Sequence, residues 1–192
     1  PSLAPGAPIR VDGGMALERV RMEGGTPFDL RSTVKAEADL EAGDVTIESL
    51  LVDLGGMRLR AQGSIHSATT LPRFEGFEIR SEAIRLETIL ALLPQLRSSL
   101  PEGARAEGPL HLEVIGSGDA ASQDVRARID LGDADLLLPG TLAKPKGTPL
   151  ALLADVGLVQ GGAVVREFRL RAAELDLGVS GKVHELDPPT YD

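Results

Sequence analysis

Three groupings of side chains in this 192-residue chain have the types to do chemistry, and each falls short of a working site. His66, His111 and His184 are its only histidines. No acidic cluster accompanies them at the spacing of a metal centre, so His66 and His184 read as polar residues closing a strand. Asp130, Asp133 and Asp135 suggest a carboxylate pair or a calcium site. Only Gly132-Asp133 lies at the loop tip, however, and a calcium loop needs about twelve residues. Solvated carboxylates on an outer face are expected there. Gly116-Ser117-Gly118-Asp119-Ala120-Ala121 has the look of a dinucleotide-binding loop but opens no helix, so no helix dipole would receive a phosphate. A hairpin turn is expected instead. Phosphate-loop, zinc-protease and serine-elbow motifs do not occur. Arg58/Arg60, Arg126/Arg128 and Arg166/Arg169/Arg171 stand beside acidic neighbours at polar-face positions and fit cross-strand ion pairs. With no cysteine, disulfide and thiolate chemistry are excluded. Nothing points to an enzyme, a metal or a cofactor.

The elements that would position these residues are those of one β-rich domain, 1–192. The formal net charge of −9 argues against nucleic acid and against electrostatic docking on an anionic membrane. Hydrophobic residues make up 42% and aromatic residues 3%, so aliphatic side chains must build the interior. The chain starts at Pro1 and reads as a piece of a longer protein. It contains no apolar run near the roughly 20 residues of a membrane-spanning helix, so any anchor is expected outside it.

Alternation with period two dominates. Phe28, Leu30, Val34, Ala36, Ala38 and Leu40 share one parity, Val45 and Ile47 take the other, and Leu50, Val52 and Leu54 return to the first. This is the pattern of strands with one apolar face in an antiparallel sheet. Leu54-Gly55-Gly56-Met57 has the spacing of a two-residue hairpin. Leu131-Gly132-Asp133-Ala134 repeats that spacing, and Ala172-Ala173-Glu174-Leu175 does so with poorer turn chemistry. The parity slips Ile47 to Leu50 and Val165 to Phe168 predict a β-bulge at each place. Leu86, Ile89, Leu90, Leu93, Leu96 and Leu100 alone follow helical spacing, giving a helical insertion over about 84–100 that Pro94 splits. It is expected at an open end or edge of the sheet.

The chain also repeats itself. Gly25-Thr26-Pro27-Phe28-Asp29-Leu30 returns as Gly147-Thr148-Pro149-Leu150-Ala151-Leu152, and Gly43 to His66 matches Gly161 to His184 at a constant offset of 118. Copy one spans about 25–66 and copy two about 147–184. The four extra residues in copy one are even in number, so they leave the apolar face in place.

Leu138-Pro139-Gly140-Thr141-Leu142-Ala143-Lys144-Pro145-Lys146-Gly147-Thr148-Pro149-Leu150 resembles the AsmA-like family of bacterial envelope proteins. Val164 to Val183, the Leu-rich Ile84 to Pro94 and the run Val183 to Pro189 continue the resemblance over about 25–190. Copy one departs from it, carrying Arg21-Met22-Glu23-Gly24 where the family has its Lys-Pro lead. The resemblance implies a periplasmic protein tethered to the inner membrane through a segment outside this chain. It also implies similarity to bridge-like lipid-transfer proteins, whose β-groove shields phospholipid acyl chains between membranes, and it brings no catalytic residues.

The expected fold is therefore mainly β: a strongly curved antiparallel sheet, a groove or half-open sandwich, made of two similar strand-rich repeats with one short Leu-rich helical insertion. Candidate groove residues are Ala36, Ala38, Leu50, Val52, Leu54, Met57, Leu59, Ala127, Ile129, Phe168, Leu170, Leu175 and Leu177. An open groove and a closed core satisfy the pattern equally. Two functions stay open with them: support of outer-membrane biogenesis by lipid transport, with a phospholipid or other acyl-chain ligand, or a non-catalytic structural or assembly module of an envelope or secretion complex, with envelope proteins as partners.

Overall fold

The computed structural model describes residues 8–21, 26–68, 71–160, 162–186 and 189–191. The opening Gly25 of copy one lies outside them. Alternating sequence becomes long antiparallel strands: β1 (Ile9–Val20), β2 (Phe28–Asp39), β3 (Asp44–Leu54), β4 (Met57–His66) and β5 (Arg73–Ala83). Helices α1 (Leu86–Leu92) and α2 (Pro94–Ser99) and the short β6 (Arg105–Glu107) follow. Then come β7 (His111–Asp119), β8 (Ser122–Asp130), β9 (Asp135–Leu138), β10 (Leu142–Lys144), β11 (Leu150–Val159), β12 (Gly162–Ala172), β13 (Leu175–Leu186) and β14 (Pro189–Tyr191).

Ten long strands and the three-residue β14 form one sheet in the order β1-β2-β3-β4-β5-β7-β8-β11-β12-β13-β14. It does not close into a barrel, because β1 and β14 end the order without meeting. The chain runs through this sheet as a meander with two excursions, α1 to β6 and β9 to β10. Strands β10, β9 and β6 make a second sheet of three. Both excursions leave from the same rim, the one where the β3–β4 and β12–β13 turns also lie.

The Gly55-Gly56 turn forms as the spacing requires, with φ of 59° and 90°. Ala172 pairs with Leu175, and Ala173 takes the positive φ of 52° that a glycine would adopt more readily. Gly118 pairs with Gln123, so Gly116 to Asp119 extend β7 and the turn falls on Ala120-Ala121. The register slips at Ile47/Leu50 and at Val165/Phe168. Glu48 and Arg166 are the extra residues. The longer first segment divides its surplus evenly: β2 has 12 residues against 10 in β11, and its turn to the next strand is longer by two.

One hairpin expectation fails. Leu131 to Ala134 does turn, with the Ala134 N–H donating to the Leu131 carbonyl at 3.0 Å, but the chain does not return alongside β8. That edge of β8 is taken by β11 along its whole length, and β9 is carried out to pair with β6 and β10. Local spacing encodes the turn; the competition for the edge is decided by a strand that comes later. Lys144 holds the excursion in place. Its side chain is buried and its ammonium donates to the carbonyls of Ala134 (2.6 Å), Gly132 (2.9 Å) and Pro145 (3.4 Å). The Lys-Pro element thus has a structural task in this chain.

Pro94 starts α2 and ends α1 two residues earlier, as a proline at a first helical turn should. The helices sit at the strand-end rim. Leu92 is buried over Gly55, the Thr26 hydroxyl donates to the Ala91 carbonyl (3.2 Å), and the Glu87 carboxylate accepts from the Gly108 N–H (2.9 Å).

Candidate functional site: an uncovered apolar face

Residues paired directly across an antiparallel ladder point to the same side of the sheet. The register therefore traces whole rows. One row runs Met15, Ser32, Val52, Leu59 and Ser81, and continues through Leu112, Ile129, Leu152, Leu170 and Leu177. The next runs Gly13, Val34, Leu50, Ala61, Ile79, Val114, Ala127, Ala154, Phe168 and Val179. A third runs from Ile9 and Ala38 through Val45, Ile65 and Phe74 to Val183. No charged residue stands in these rows. Ser81 turns its hydroxyl to the backbone, accepting from the Leu112 N–H (2.8 Å) and donating to the Leu110 carbonyl (3.4 Å). Nine strand spacings of ~4.8 Å make each row about 43 Å long before twist shortens it.

All thirteen candidate residues lie on this one face. Ala38 is in the third row, Leu54 pairs with Met57, Ala36 pairs with Ile47, and Leu175 pairs with Ala172. The bulges at Glu48 and Arg166 absorb the parity slips that would otherwise have split the face.

The face is not sealed. Among the described residues no large side chain is fully buried, and the buried apolar ones are only Ile84, Leu92, Ala134 and Ala163. At one edge Met15 is 50% exposed, and at the other Leu177 is 49% and Val179 62% exposed. Residues between them, such as Leu50, Val52, Leu152 and Leu170, are half-buried. A closed sandwich would remove such residues from water altogether.

The opposite face is charged and internally paired. Arg60 meets Glu82 (2.7 Å), Arg80 meets Glu113 (2.9 Å) and also Glu78, and Arg169 holds Asp176 through two bonds of 2.7 Å. These pairs match the ion-pair reading of the arginines, while Arg58 stands across from Asp53. Asp155 is buried at the centre of a four-residue network. It accepts from Arg126 (2.6 Å) and from Arg166 (2.6 Å), and Arg166 continues to Asp124 (2.6 Å). The Arg126 hydrogen bond and then the Arg166 one hold its carboxyl below the usual range. The bulge puts Arg166 within reach, a consequence invisible until the register is known.

The dispersed candidates stay apart. Asp130 ends β8 and accepts from the Gly132 N–H (2.8 Å), Asp133 lies in the turn, and Asp135 opens β9 in the other sheet. His111 pairs with Asp130 across the ladder. The His184 side chain lies outside the described residues. His66 has what sequence spacing missed: Nδ1 is 3.0 Å from Asp44 and Nε2 is 3.1 Å from Glu75. Pairing of β3 with β4 and β4 with β5 creates that arrangement. It borders a cleft of about 560 Å³ at the hairpin-tip rim. Among the described residues no group of three potential ligands gathers for a metal.

No protein-family model matches the chain, and neither a curated protein nor a solved structure does.

Proposed function

We propose that this chain is a segment of an AsmA-like, bridge-type lipid-transfer protein that shields phospholipid acyl chains on its apolar face, in support of outer-membrane biogenesis. The observation that carries the reading is the set of uncharged rows, open at both the β1 and the β13 edge. Acyl chains need continuous apolar surface and no directional bonds, and burial of each CH₂ is worth about 0.8 kcal/mol. A row of about 43 Å exceeds the ~30 Å hydrocarbon thickness of a bilayer, and an acyl chain lying along it meets no charged side chain, the polar members of the rows being Ser32, Ser81 and Gln123.

Curvature belongs to this proposal. Register slips fall on neighbouring ladders at Lys35/Ala36, Ile47/Leu50, Gln62/Ser64 and Phe74/Phe77, and again at Asp155/Val156 and Val165/Phe168. These six slips mark three bulges, in β3, β5 and β12, each counted on both flanking ladders; they lie near one height and bend the sheet toward a groove. Duplication belongs to it as well: the meanders β2-β3-β4 and β11-β12-β13 are copies that each extend one continuous face. The place of action is then the periplasm, with a tether to the inner membrane supplied by sequence beyond this chain.

Native mass spectrometry of the purified protein tests the proposal. Bound species of phospholipid mass, lost on delipidation and regained with vesicles, are expected. Repeated recovery of protein without lipid, together with no uptake from vesicles, would overturn it and leave the assembly role. The twelve-residue β1 edge, unpaired among the described residues, favours that second role, since such an edge can recruit a partner strand.

A further inference from the structure

We propose that His66 is a proton-operated clasp on the hairpin-tip rim, joining β3, β4 and β5 when its ring carries two protons and releasing one joint when a proton leaves. The ring nitrogens face two carboxylates on two different strands, Asp44 of β3 at 3.0 Å and Glu75 of β5 at 3.1 Å. An ionised carboxylate only accepts, and a neutral imidazole has a single N–H. Only the imidazolium can donate to both. In the neutral ring one nitrogen lone pair faces a carboxylate oxygen, and that contact becomes repulsive.

The surroundings favour the proton. Asp39 stands directly across from Asp44, Arg73 is the cross-strand neighbour of His66, and Asp119 lies across from Arg73. Asp44 and Glu75 meet the ring itself, whereas Asp39 accepts from the Glu41 and Ala42 N–H groups and Asp119 from those of Ala121 and Ser122. The Asp44 hydrogen bond leads the effects that raise the His66 pKa, and the His66 bond leads those that lower that of Asp44. The sign follows. A raised imidazole stabilises the fold fully below its unfolded value of about 6.5, and that contribution is lost as pH rises through the folded value. The depressed Asp44 contributes above about 4 and is lost as pH falls through its folded value.

What the clasp controls is the cleft bounded by Ser67 on one side and by Leu71, Pro72 and Arg73 on the other. Asp44 also accepts the Ser67 N–H at 3.0 Å, and Ser67 holds a left-handed φ of 53°. The Ala68 N–H donates to the Gly43 carbonyl at 2.7 Å. Loss of the Glu75 joint detaches the far side of the cleft, lined by Leu71, Pro72 and Arg73, from this anchor. The clasp lies on the charged side of the sheet and is independent of what the apolar face carries.

An NMR titration of the labelled chain tests it, with hydrogen-exchange protection factors taken at each pH. His66 is expected to titrate above about 6.5, with protection at Ile65, His66, Phe74 and Glu75 lost as pH passes that value. In H66Q the same protection is expected to be independent of pH, and E75Q should shift the His66 titration downward while the β3–β4 pairing persists. Titration of His66 at or below about 6.5, or wild-type protection that ignores pH, would overturn the clasp. If H66Q fails to fold, E75Q decides: an unmoved His66 titration refutes the Glu75 joint.

Discussion

At the residue scale, Asp155 shows how a strand of apolar appearance can hide its most constrained charge. It sits in Leu150-Ala151-Leu152-Leu153-Ala154-Asp155-Val156, where it looks like one more outward polar residue. In the fold two guanidinium groups from neighbouring strands converge on it. Their hydrogen bonds keep the carboxyl ionised below its ordinary range, so its contribution is present above about pH 4 and is lost as pH falls through the depressed folded value. Asp155→Asn should cost about 1–2 kcal/mol at neutral pH, less than a sealed ion pair would because both arginines reach water. Urea melts at pH 7 and at about pH 2.5, well below the ordinary carboxylate value, check this, and the difference between wild type and variant should shrink at the lower pH. A constant difference would mean that packing, not charge, sets the role of Asp155.

At the element scale, the legible parts were those governed by neighbours in sequence. Gly55-Gly56, the Pro94 break between the helices and both bulges follow from local spacing and local φ demands. The path of Leu131 to Leu138 was not legible, because β11 claims the edge of β8 and nothing within ten residues announces that. His66 escaped for the same reason: Asp44 and Glu75 reach it only after two ladders are in register. The small sheet β6-β9-β10 depends on one side chain that sequence reasoning treated merely as part of a motif. Lys144 is 4% exposed and supplies hydrogen bonds to three carbonyls, including that of the fully buried Ala134. Lys144→Met should cost about 2 kcal/mol, since those carbonyls lose a charged donor. Hydrogen exchange should localise the damage to Asp135–Leu138 and Leu142–Lys144 and spare β2 to β5. Uniform loss of protection across the large sheet would show that the excursion is not a separate unit of stability.

At the scale of the whole molecule, the question is whether the apolar face behaves as a surface or as a core, and a charge placed on it separates the two. Leu177 ends the first row at the β13 edge, and Leu152 stands in the same row two strands inward. If the face is a surface, Leu177→Glu loses only part of the transfer energy of a half-exposed leucine, about 1 kcal/mol or less, and the protein stays folded. Leu152→Glu costs more but leaves the carboxylate a route to water. If the face is a core, an unpaired buried charge at either position is intolerable and both variants unfold. Folded variants then test the proposed lipid role, because on that proposal a glutamate in the row puts a hydrated carboxylate in the path of an acyl chain. Phospholipid retained by Leu177→Glu and Leu152→Glu should fall relative to wild type. Leu40→Glu, at a hairpin tip where the side chain is already 74% exposed, should retain lipid unchanged. Thermal melts with lipid quantified by mass spectrometry give both readouts from one preparation. Two folded variants with wild-type lipid content would show that the face is open but is not the route, and two unfolded ones would show that it is a core.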